Sequence, residues 1–78
     1  MKANNVRQTV DVEALEDLIK KRGLILSWVL EQAGISYGQL YRVRLGKREL
    51  TLGETAALVK VLDLSPEERD QIFFALEV

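Results

Sequence analysis

The sequence predicts an all-α fold of five short helices in one small domain, and three observations carry that prediction. Between Asp11 and Arg22 apolar residues recur at helical spacing inside clear start and stop signals. Three capping boxes stand further along the chain, at Ser36 with Gln39, Thr51 with Glu54 and Ser65 with Glu68. No run alternates with period two over the length of a strand. A chain of 78 residues buries only about 60% of the surface its unfolded form exposes, which leaves little margin for a deep cleft.

Helix 1 follows from Val12, Leu15, Leu18 and Ile19, with Asp11 as its N-cap and Gly23 after the basic last turn of Lys20, Lys21 and Arg22. Residues 1–10 precede it as a flexible arm. Helix 2 draws on Leu24 to Leu30, apolar at six of seven positions with Ser27 the exception, more than one face can hold. At about 100° per residue Leu26, Val29, Leu30 and Ala33 share one arc, and Trp28 points away from it between Glu31 and Gln32. Trp28 is therefore expected to cover a neighbouring helix or a partner. The capping boxes start helices 3, 4 and 5. In the last, Pro66 takes the first helical position, where a missing N–H costs nothing. Helix 3 is expected to end at Gly46, helix 4 near Asp63 and helix 5 at the C-terminus.

Composition narrows the chemistry. The chain has no Cys and no His, which excludes disulfides, the usual zinc ligand sets and Ser-His or Cys-His nucleophile pairs. No cofactor is expected. Its longest apolar run, Ile72 to Leu76, is five residues, against the roughly 20 needed to cross a bilayer. Met1 to Gln8 lacks the apolar centre of a signal peptide, so the expectation is a soluble, cytoplasmic protein with no membrane partner. The formal net charge is −1, but its distribution is uneven: residues 20–48 hold seven basic groups and one acidic, whereas residues 49–78 hold two basic and seven acidic. A polyanion responds to the local field rather than the total, so the basic centre is the first functional clue.

Val29, Ala33, Gly34, Ile35, Leu40 and Val43 place apolar residues on two short helices about a turn. Its glycine can take the left-handed conformation that a tight bend requires. Here the sequence resembles the Cro and phage-repressor (XRE-like) family of helix-turn-helix DNA-binding domains, over nearly all of residues 11–78. The resemblance rests on Arg22, Gly23 and Leu24; on Gly34, Ile35 and Ser36; on Leu40, Val43, Gly46, Lys47 and Arg48; and on Leu62, Asp63, Leu64 and Ser65. It implies a five-helix lambda-repressor-like domain that is not an enzyme but a transcription regulator, binding double-stranded DNA as a homodimer at a palindromic operator.

In that family the second helix of the unit lies in the major groove. The resemblance therefore points Tyr37, Gly38, Tyr41 and Arg42 of helix 3 at bases, with Arg42 paired bidentately to guanine O6 and N7. Tyr37 would donate through its hydroxyl or pack on a thymine methyl. Ser36 and Gln39 fall at the amide-rich start of the helix, and Arg44, Lys47 and Arg48 near or beyond its end, as phosphate contacts. Each has a plainer reading: Ser36 and Gln39 as a cap alone, Tyr41 packed along the domain, the cations as a solvated face. Glu67, Glu68 and Asp70 read as a helix start balancing its dipole, not as an acid–base pair.

The chain departs from the family's pattern in three places. Leu30 stands where a small residue is usual, and Ala33 where a large one is. Ile25 and Leu26 replace the polar start of helix 2, which is expected to begin at Ser27. Gly38 stands where a base-reading side chain is common. In helix 5, Ile72, Phe73 and Leu76 form one stripe, assigned to the core. Phe74 and Val78 form another, assigned to a dimer interface, with folding back over helix 1 or the arm as the alternative. A protein partner held through Trp28 or helix 5 defines a rival function, an antitoxin-like or anti-repressor protein of the same fold. A helical interaction module that never touches DNA is a further one.

Overall fold

Four of the five expected helix starts are built as the sequence spells them. A computed structural model describes residues 7–73 and 75–77, with side chains described for 10–73. The elements run β1 (Arg7–Thr9), α1 (Val12–Lys21), α2 (Leu26–Ala33), α3 (Tyr37–Arg44), α4 (Leu52–Leu62), α5 (Pro66–Phe73) and β2 (Ala75–Glu77). The Asp11 carboxylate accepts from the Ala14 amide at 3.0 Å and opens α1. At α3 and α4 both halves of the capping box are made, by Ser36 with Gln39 and Thr51 with Glu54. At α5 Ser65 and Glu68 exchange the same pair of bonds, at 3.0 and 3.1 Å. α2 has Ile25 as its N-cap, with no side-chain bond, and begins one residue before the expected Ser27. Burial of Val29 and Leu30 stands in for the missing cap.

The core is entirely apolar: Val12, Leu15, Ile19, Val29, Leu30, Ile35, Leu40, Val43, Leu58, Leu62, Ile72 and Phe73 are buried, and among the described residues no polar side chain joins them. α4 packs on α2, while α1 touches α2, α3 and α5. Leu30 is fully enclosed and Ala33 only partly, so the larger residue of the pair is the one that fills the centre. Trp28 stands outside it, 45% exposed.

Arg22 ties three helices together. From the end of α1 its guanidinium donates to the Leu62 carbonyl in the last turn of α4 and to the Glu68 carboxylate in the first turn of α5, each at 2.8 Å. Glu68 thereby serves twice, as the capping-box acceptor and as the ion-pair partner. The Ser65 amide and then Arg22 hold its carboxyl below the usual 4.5.

Two expectations fail at the chain ends. Helix 5 stops at Phe73 rather than continuing, and Leu76, expected on its apolar stripe, belongs to β2. β2 pairs antiparallel with β1, Thr9 opposite Ala75 and Arg7 opposite Glu77, and the Asp11 amide donates to the Ile72 carbonyl beside this ribbon at 2.8 Å. Three-residue strands are too short for an alternating pattern to show in sequence, and they form because their backbone groups find each other. Phe74 and Val78, assigned to a dimer interface, lie outside the described residues. Among the described residues no helix is long and apolar enough to cross a membrane.

Candidate nucleic-acid interface

The connection between α2 and α3 is short because Gly34 reverses the chain in one residue. It ends α2 in the left-handed region, at φ 74° and ψ 31°, and its amide donates back into the last turn of α2. The Ile35 amide then bonds the Leu30 carbonyl at 2.9 Å and its side chain is buried, so α3 starts at a fixed angle from a fixed point.

From that start α3 buries Leu40 and Val43 and turns its other side outward. At about 100° per residue the outward arc carries Tyr37, Tyr41 and Leu45 as a ridge, then Gly38, then Arg42. Tyr37 is 58% exposed and Tyr41 59%, so Tyr41 does not pack along the domain. Leu45, at the C-cap and 48% exposed, extends the ridge. The sequence reading missed Leu45 as a surface residue, although its spacing four and eight residues after the two tyrosines carries the signal.

Ser36 and Gln39 are caps, and the cap uses only their acceptors. Ser36 Oγ accepts from the Gln39 amide at 3.1 Å, and Gln39 Oε1 accepts from the Ser36 amide at 2.9 Å. The hydroxyl proton of Ser36 and the side-chain amide protons of Gln39 are left over as donors, beside the start of α3. Capping and anion binding are thus compatible in the same two side chains.

The cations divide into two kinds. Arg44 is paired with Glu16 of α1, and Arg48 with Glu54 of α4 at 2.8 Å. Arg48 is largely buried, at 22% side-chain exposure, and its Nη1 has no hydrogen-bond partner among the described residues. Its bond to Glu54 is the main reason that carboxyl lies below 4.5, with the Thr51 amide adding to it against desolvation. Arg48 is a strut between the segment after α3 and the start of α4, and an anion at Arg44 or Arg48 must compete with a carboxylate already in place. Arg42 and Lys47 are exposed and make no ion pair among the described residues. The segment from Ser36 to Arg48 contains four cations and no carboxylate. Its two unpaired cations stand on or just beyond the outward side of α3. No family model, curated protein or solved structure matches the chain.

Proposed function

We propose that the chain is a sequence-specific regulator of transcription that binds double-stranded DNA through the outward side of α3, with α2, Gly34 and α3 acting as a helix-turn-helix. The observation that carries this reading is the outward side of α3, a helix with no carboxylate of its own, on which Arg42 stands exposed, with no ion pair among the described residues, beside two exposed tyrosines. Such a surface suits the major groove. A guanidinium matches guanine O6 and N7 as a bidentate donor, and tyrosine offers a hydroxyl donor and an apolar ring to neighbouring bases. The spare donors of Ser36 and Gln39, with Lys47, supply phosphate contacts that set position without reading sequence. A single eight-residue helix spans few base pairs, so the chain acts as a twofold dimer on half-sites about one helical turn, roughly 34 Å, apart. The proposal includes no catalytic step.

A second reading has its own observation. Ile25, Trp28 and Leu52, at 68%, 45% and 86% exposure, present large apolar side chains on α4 and on the α2 segment. That favours an antitoxin-like or anti-repressor protein working through another protein. Selection of bound duplexes from a random-sequence library separates the two. An enriched palindrome supports the DNA reading and its twofold symmetry. No enrichment, with no retention on heparin, leaves the protein-binding reading.

A further inference from the structure

Two of the four cations between Ser36 and Arg48 are neutralised by carboxylates from other helices, Arg48 by Glu54 and Arg44 by Glu16. The two carboxylates differ in what else they do. Glu54 closes the capping box of α4 by accepting from the Thr51 amide at 3.0 Å, so the fold uses it whether or not Arg48 is there. The Glu16 carboxylate, in the middle of α1, bonds nothing but Arg44 Nη2 among the described residues. Both side chains of that pair are partly exposed, and an exposed pair adds little to stability. Stability therefore does not account for a carboxylate of α1 lying against the last residue of α3.

We infer that Glu16 is a positioning residue that withholds Arg44 from the phosphate backbone and so limits sequence-independent binding. The inference rests on the DNA reading above. At about 100° per residue Arg44 falls on the flank of α3 between the buried Leu40 and the Tyr37–Tyr41 ridge. When a helix lies in the major groove its ridge meets the base edges and its flanks turn toward the phosphates that wall the groove. A free guanidinium on that flank would be a phosphate contact. Held by Glu16, it already has its anion, and to reach a phosphate it must leave a bare carboxylate facing a polyanion. Arg44 then displaces no counterion from the duplex and adds nothing to the affinity that all sequences share. A larger share of binding is left to Arg42 and the tyrosines, the groups that face bases.

The test uses the full chain and measures Kd against salt concentration on a random duplex and on the duplex enriched from the library. Glu16→Gln keeps the shape of the side chain, removes its charge and frees Arg44. On the random duplex this variant binds more tightly than the native chain at low salt. Between roughly 50 and 200 mM salt its Kd rises by a factor about 3.5 times the native factor per subunit, the increment of one further phosphate contact. Glu16→Gln combined with Arg44→Gln returns the native salt dependence, because the gain runs through Arg44. Glu13→Gln, one turn earlier on α1 and in no ion pair among the described residues, changes the net charge equally and leaves the salt dependence as it was. Salt dependence is a ratio within one variant, so a small loss of stability does not enter it. The inference is overturned, and the DNA reading stands, if Glu16→Gln keeps the native salt dependence, if Glu13→Gln steepens it as much, or if the double variant retains the gain. If no duplex is bound or enriched, both fall together.

Discussion

The bend at Gly34 can be tested by chirality alone. A Cβ built on this residue meets nothing within 4 Å, so the cost of any side chain there is the cost of holding an L-residue at φ 74° and nothing else. For alanine that cost is about 1–2 kcal/mol. A β-branched valine exceeds it, whereas asparagine, whose side chain tolerates the left-handed region, falls below it. With a Tm change of about 4–8 °C per kcal/mol for a domain this size, Gly34→Ala lowers Tm by roughly 4–16 °C. The order of loss is Val, then Ala, then Asn. A synthetic chain with D-alanine at position 34 reverses the sign, because a D-residue prefers positive φ and has fewer unfolded conformations to lose than glycine, for a gain of about 0.4–1 kcal/mol. Denaturant unfolding followed by circular dichroism measures all four. The reasoning is refuted if L-alanine and L-valine at position 34 leave the stability unchanged, since with nothing near their Cβ the left-handed backbone is the source of the loss.

On DNA, Arg42→Ala costs about 1–3 kcal/mol at the best site and relaxes preference at one base pair, while Lys47→Ala weakens all duplexes alike and lowers the salt slope by about one per subunit. Equal losses on selected and random duplex for Arg42→Ala remove its base-reading role. The carboxyls of Glu54 and Glu68 titrate below 4.5 in the fold. Below that value the unfolded chain binds more protons, so their contribution is complete above pH 4.5 and is lost as pH falls through the folded values. Glu54→Gln and Glu68→Gln keep the capping acceptor and remove the charge, so each lowers Tm at neutral pH and flattens the acid limb of a plot of Tm against pH. Leu58→Ala opens a void at a fully enclosed side chain on α4 and costs about 2–5 kcal/mol. That is a large share of the roughly 4–12 kcal/mol a domain of this size holds, and calorimetry reads it directly.

The helices were legible because their starts are written in local chemistry. Ser36, Thr51 and Ser65 each satisfy their helix through a partner three residues on, and the whole signal fits in four residues. The left-handed turn at Gly34 is local too. The end of α5 was not legible: the run from Ile72 to Leu76 is equally compatible with a helix and a strand, and β1 decides it from the far end of the sequence. At the candidate interface, sequence groups Arg42, Arg44, Lys47 and Arg48 as one basic block. Only the tertiary structure brings Glu16 to Arg44 and Glu54 to Arg48 and so separates struts from free cations. The spare donors of Ser36 and Gln39 are a matter of bond direction, which residue types alone do not specify.

The double duty of Glu68 bears on how this small protein comes apart. Its carboxylate faces the guanidinium of Arg22 only while it is folded back over the first turn of α5, and that guanidinium is also bonded to the final turn of α4. Loosening either helix end therefore slackens the other through a shared side chain. Fraying, usually the cheapest local fluctuation of a helix, is here charged to the junction of three helices at once. Around this junction amide exchange should converge on a single opening free energy, and denaturation should proceed as one cooperative step with no partly unravelled helix along the way.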